Sequence, residues 1–203
     1  MKRLFIAAIV LFIFSGVAFA GEPTEILKAY TERIKSVLKD PTLNQPEKKK
    51  KRYEMLKSIV LEIFDIEELS KRTLARHWRR MTPEERKEFQ DAFLKFLEQK
   101  YAGRIDKTIE EDFEVIYESE KVKGKYALVK SIIKTKTKGE YPVYYRLIKK
   151  NDKWMVYDVV IEGVSIVKNY RDQFREILSK KSYRELISML REKAEKKETE
   201  EKK

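Results

Sequence analysis

The stretch Glu140–Gly163 reads EYPVYYRLIKK, then ND, then KWMVYDVVIEG. Two runs rich in Val, Ile, Tyr and Trp flank the dipeptide Asn151-Asp152. Such residues suit a pleated, half-buried surface, so both runs read as strands. Asn and Asp tolerate left-handed backbone, and a two-residue loop joins antiparallel neighbours. Large apolar side chains occupy both alternating faces of these strands. One face needs helices over it; the other needs more protein or an apolar ligand.

Reading outward, Lys125 to Thr137 and Phe113 to Ser119 repeat the pattern, with Phe113, Val115 and Tyr117 on one side. Turns are expected at Lys123-Gly124 and Lys138-Gly139. The strands Phe113–Ser119, Lys125–Thr137, Glu140–Lys150 and Lys153–Glu162 thus predict a four-stranded antiparallel meander, closed by Gly163.

Helical periodicity surrounds the sheet. Pro23 to Lys39 carries Ile26, Leu27, Tyr30, Ile34, Val37 and Leu38 near helical spacing, and Asp40-Pro41 ends it. A second helix is expected from Pro46 to Phe64. Its first half is the charge run Lys48–Arg52 and its second half is apolar. Asp65 with Glu68 three residues on has capping-box spacing, opening a short helix through Leu74 to about Trp78. Thr82-Pro83-Glu84-Glu85 is the clearest helix start. The helix after it places Phe89, Phe93, Phe96, Leu97 and Tyr101 in one stripe and ends near Ile109. After the sheet, helices are expected over Val164–Leu178 and Ser182–Lys193. The pattern is α+β, with helices covering one face of the sheet.

The ends read differently. Lys2 and Arg3, the apolar run Leu4–Phe14 and the small residues Ala18-Phe19-Ala20 have the layout of a cleavable export signal over residues 1–20. The expected domain is 21–192, a single unit, followed by a charged tail at 193–203 that is expected to fray. The chain has no cysteine, which leaves neither a lipoprotein anchor nor a disulfide framework. Its formal charge is +12, and falls by two to +10 when Lys2 and Arg3 leave. A basic balance suits nucleic acid, anionic membranes or acidic partners. The export signal argues against nucleic acid.

Catalytic chemistry is hard to assemble from these residues. A single histidine, His77, and no cysteine exclude Ser/His and Cys/His pairs built on more than that one residue, and soft-ligand metal sites. Gly is scarce, at six residues, and none forms a phosphate-cradling loop. Asp158 and Glu162 stand in an apolar strand, where pointing outward or capping neighbouring backbone is the favoured reading. No cofactor, no metal and no enzymatic activity are expected.

From Lys153 the residues become specific. Trp154, then Tyr157-Asp158-Val159, then Glu162-Gly163-Val164-Ser165, then Asn169-Tyr170-Arg171 with Phe174, closely resembles the signature of the MlaC family of periplasmic phospholipid-binding proteins. Phe64-Asp65, Leu69, Leu74, Trp78, Thr82–Arg86, Phe89, Phe93 and Tyr101 resemble the family's central helices. His77 stands where the family more often has glycine. The resemblance implies a curved sheet backed by helices around a deep apolar pocket. It also implies a soluble, monomeric periplasmic carrier that shuttles glycerophospholipids as cargo. The implied partners are an outer-membrane lipoprotein complex and an inner-membrane ABC transporter with its hexameric lipid-binding subunit. The lipid-facing residues expected on the sheet are Val129, Ile133, Tyr145, Leu147, Met155, Tyr157, Val159 and Ile161. On the helical side they are Leu69, Phe93, Leu97, Tyr101, Val164, Val167 and Tyr170. The competing reading is an adaptor or chaperone for apolar protein segments.

Overall fold

The computed structural model describes residues 22–109, 113–136 and 139–200, and the side chains of all of these but 102–109 and 196–200. The expected export signal lies outside them.

The sheet is an antiparallel meander in the order β1(Phe113–Lys123), β2(Tyr126–Thr135), β3(Gly139–Lys150), β4(Lys153–Ile161), β5(Val164–Ser165). Among the described residues it has five strands, not the four expected. Glu162 and Gly163 both take positive φ, 50° and 82°. The chain therefore reverses in two residues, and Val164-Ser165 pairs back on Val160-Ile161 instead of opening a helix. Asn151 and Asp152, at φ 47° and 59°, make the expected two-residue hairpin in the same way.

Two bulges set which side chains share a face. The β1–β2 register shifts between Tyr117 and Ser119. That irregularity hides the second half of β1 from a period-two reading, so the strand runs to Lys123 instead of Ser119. The β3–β4 register shifts between Arg146 and Leu147, whose partners are Asp158 and Val156. Tyr157 is the extra residue, and the alternation along β4 flips there.

Among the described residues six α-helices frame the sheet: α1(Glu22–Lys39), α2(Lys49–Ile63), α3(Ile66–Leu74), α4(Pro83–Ile109), α5(Ile166–Lys180) and α6(Tyr183–Glu200). The helix starts read from sequence form, but at Asp65 only the N-cap half does, because the Asp65 N–H donates to the Val156 carbonyl at 2.8 Å. Glu68 N–H donates to Asp65 Oδ1 at 2.9 Å. Thr82 and Glu85 exchange bonds of 2.9 and 3.2 Å, and Ser182 with Glu185 does the same at 2.8 and 3.3 Å. Helix α3 stops at Leu74, short of Trp78, because Ala75 adopts φ 49°. The position that favours glycine is thus Ala75; His77 lies in a short 3-10 turn with Trp78. Helix α6 continues past Lys193 to Glu200, and Ala194 is fully buried.

The core is in two main parts. One is helical: Leu69, Leu74, Trp78, Phe89, Phe93, Phe96, Val167, Tyr170, Phe174, Leu186, Ile187 and Leu190. Its aromatic rings pack edge to face, Phe93 against Tyr170 at 5.2 Å and Phe174 at 5.3 Å. The other lies between one face of the sheet and α1 and α2: Leu27, Ile63, Ala127, Val129, Val143, Leu147, Trp154, Val156 and Val159. Phe64 and Ile166 touch both. Helices also reach the opposite face at β4. There Asp158 and Val160 are buried, and Val167 N–H of α5 donates to Asp158 Oδ1 at 3.0 Å. Coverage of a single face was the expectation; the bulge, by turning Asp158 toward α5, brings helices to both.

Candidate functional site

The inner face of the sheet follows from register. Val129 pairs with Tyr145, Ile133 with Tyr141, and Ser131 with Tyr117 and Val143. Tyr145 pairs with Val159 and Leu147 with Val156. Antiparallel partners share a face. Of the expected sheet residues, Val129, Ile133, Tyr145, Leu147, Val159 and Ile161 therefore lie together. Met155 and Tyr157 do not. Before the bulge the inner positions belong to Trp154 and Val156, so Met155 pairs with Ile148 on the outer face. The Tyr157 ring sits there too, 6.4 Å from Tyr126, under the Arg72 guanidinium at 4.0 Å.

The inner face is graded. Val129, Leu147 and Val156 are fully buried beneath Leu27 of α1 and Ile63 of α2. Toward β1 and the far ends of β2 and β3, Phe113, Val115, Tyr117, Ile133, Tyr141 and Tyr145 are only half-buried, as are Ile26 and Tyr30 of α1. Ile161 remains 37% exposed. This is an apolar surface that its own helices do not fully cover.

Its polar atoms are already bonded. The Tyr117 and Thr31 hydroxyls meet at 2.8 Å. Ser131 Oγ–H donates to the Val143 carbonyl at 2.8 Å. Burial pushes the Tyr145 hydroxyl well above the ordinary phenol range, with the neighbouring Tyr117 adding to the rise and a hydrogen bond with Ser131 offsetting part of it. Burial raises Tyr117 too, partly countered by Thr31. Both stay neutral at any physiological pH. At the upper rim Glu120, on the same face, accepts from Thr24 N–H at 2.8 Å and Thr24 Oγ–H at 2.6 Å, capping the start of α1. Apolar matter laid on this face meets no polar group without a partner among these.

The helical residues read from sequence fall elsewhere. Leu69, Phe93, Val167 and Tyr170 lie in the helical core, with Leu97 packed on it. Tyr101 is half-buried on α4, and Val164 is 58% exposed on β5. The expected set is thus split between two cores. Sequence reasoning missed Leu27, Ile63, Phe64 and Ile166, which roof the inner face or link it to the bundle. The stripe of α1 was the available signal for the first.

Asp158 is 1% exposed and joins the two parts. Besides Val167 N–H it accepts from Ser165 Oγ–H and from Arg146 Nη1–H, both at 2.7 Å. It caps backbone, as favoured from sequence. Glu162 is exposed in its turn. Two charged concave surfaces also stand out among the described residues. One lies between α4 and α6 at Glu84, Lys87, Asp91 and Arg191, the other along α5 at Asp172, Arg175 and Glu176. Neither involves an expected lipid-facing residue. Among the described residues no group of three His, Cys, Asp or Glu is placed to hold a metal ion.

The inner face is thus a partly covered apolar surface, and among the described residues no deep apolar pocket of the kind expected is closed over it. The family model described as MlaC protein matches residues 28–192, so this chain belongs to the MlaC family. It is 27% identical over 129 residues to the toluene tolerance protein ttg2D of Pseudomonas putida. That alignment takes in 63% of this chain and 60% of the relative, less than two thirds of the relative's length. The fold is shared with a phospholipid-binding protein from Ralstonia solanacearum, solved in complex with a phospholipid. The TM-score is 0.76 at 21% identity, covering 87% of this chain and 99% of that one.

Proposed function

We propose that this chain carries phospholipid, holding acyl chains against the inner face of the sheet with the head group at the mouth. The supporting observation is the half-buried apolar end of that face around Tyr117, Ile133 and Tyr145, whose hydroxyls are already paired. A lipid exposed in transit costs on the order of 24 kcal/mol, from about 0.8 kcal/mol per CH₂ over two chains of some fifteen carbons. A carrier has to match that burial only closely enough to load and unload. Membership of the MlaC family and the fold of a protein solved with phospholipid support the reading. On it, the protein is exported to the periplasm and works there as a monomer without catalysis. It takes lipid between an outer-membrane lipoprotein complex and an inner-membrane ABC transporter.

Adjacent residues of β2 supply the test. Ile133 and Ile132 are both half-buried, and point to the inner and outer face respectively. Ile133→Asp is expected to abolish uptake of a labelled phospholipid from vesicles, with circular dichroism unchanged, while Ile132→Asp retains it. Two folded variants with equal uptake would overturn the assignment of the face.

A further inference from the structure

The end of the sheet that carries the β1–β2 and β3–β4 turns has a composition that cargo binding does not explain. The β1–β2 tip reads Lys121-Val122-Lys123-Gly124-Lys125-Tyr126. Val122 is 49% exposed and Tyr126 40%, two of the few large apolar side chains left open to water. Lys121, Lys123 and Lys125 are exposed around them, and Lys153 is exposed beside them at the β3–β4 tip. Among the described residues none of these four lysines takes part in an ion pair. At the same end Lys149 is tied to Glu22 at 3.1 Å and Lys150 to Asp65 at 2.6 Å, while Asp152 and Glu67, whose charge acts on Lys150, add two exposed carboxylates against the four lysines. The free charge is therefore positive.

The tip is also held firmly. Lys149 N–H donates to the Lys125 carbonyl at 2.8 Å. The Tyr126 ring is flanked by Arg72 at 5.5 Å, Lys125 at 5.7 Å and Tyr157 edge-on at 6.4 Å. An exposed aliphatic side chain on one face of a hairpin tip and a tyrosine on the other, with exposed lysines between them in the chain, is the chemistry of a water–lipid boundary. The apolar groups enter the head-group layer, the ammonium groups meet anionic heads, and tyrosine favours that depth.

We propose that this end of the sheet docks the protein on anionic lipid bilayers. Register puts Val122 at the end of the inner face, opposite Ala127, and Tyr126 on the outer face, opposite Ile148, so the contact uses the tip of the hairpin and stands whether or not the interior carries lipid. A basic residue near an anionic surface is worth about 1 kcal/mol, or about fivefold in partitioning.

Cosedimentation with vesicles of equal phosphatidylglycerol and phosphatidylcholine, against phosphatidylcholine alone, is the test. Extraction of a lipid leaves the protein in the supernatant, whereas docking puts it in the pellet. The protein is expected to pellet with the anionic vesicles only, and to be released by salt. Lys121→Gln/Lys123→Gln/Lys125→Gln/Lys153→Gln is expected to lower binding about hundredfold or more. Lys48→Gln/Lys49→Gln/Lys50→Gln/Lys51→Gln, removing the same charge from the start of α2, is expected to bind as before. Failure to pellet, equal binding to neutral vesicles, or equal losses in the two quadruple variants would overturn the proposal. So would binding to an acidic protein surface without binding to lipid.

Discussion

Asp158→Ala removes the acceptor that joins sheet and helical bundle. The carboxylate is 1% exposed and takes three hydrogen bonds, from Arg146, Ser165 and the N–H of Val167 at the start of α5. Breaking a buried ion pair from one side costs about 3–5 kcal/mol. The Arg146 side chain is 44% exposed and regains water, which places the loss at the lower end. The Val167 N–H is left without its bond near the α5 cap, where an unmet buried donor costs about 1–3 kcal/mol and is the larger share of the total. A loss of about 3 kcal/mol lowers Tm by roughly 6–12 °C for a domain of this size. Asp158→Asn keeps an oxygen for Val167 and is expected to lose about half as much. Urea unfolding followed by circular dichroism measures both, with the slope unchanged. An Asp158→Ala protein within about 0.5 kcal/mol of the parent would refute the claim that this carboxylate holds α5 to the sheet, that figure being the scatter of ordinary surface changes.

Burial holds the His77 imidazole below the ordinary value of 6.5, with Arg76 and Arg80 adding repulsion. The unfolded chain then binds the proton more readily, so stability falls as pH drops below 6.5 and levels off beneath the folded pKa. His77→Gln is expected to remove that part of the pH dependence, and an NMR titration midpoint at or above 6.5 would contradict it. Ala75→Gly is expected to stabilise by roughly 0.5–1 kcal/mol, because φ 49° with ψ −114° is backbone that a Cβ disfavours. A lower urea midpoint for that variant would speak against strain at this turn.

The hairpin at Asn151-Asp152, the Asp65 N-cap and the Thr82–Glu85 capping box were legible because each is written in neighbouring residues with a local cause. The stripe Phe89–Tyr101 likewise announced α4. Face assignment on β4 failed at one residue. Tyr157 is inserted relative to its partner strand, and nothing in the alternation of Trp154 to Ile161 marks where pairing slips. The error moved Met155 and Tyr157 to the wrong side and left out Trp154 and Val156. The same limit hid the end of β1. The split of the expected lipid residues between two cores has a different origin. Phe93 and Tyr170 are as apolar as Val129 and Leu147, and only the packing of α5 on α3 and α4 decides which core each enters. Strand β5 depends on two positive φ values, one of them at Glu162, a residue type that gives no warning of it.

Native mass spectrometry of the gently isolated protein tests lipid carriage most directly. The account predicts a population heavier than the bare chain by the mass of phospholipid, shed on organic extraction. A protein of bare mass that also takes up no labelled phospholipid from vesicles would contradict it.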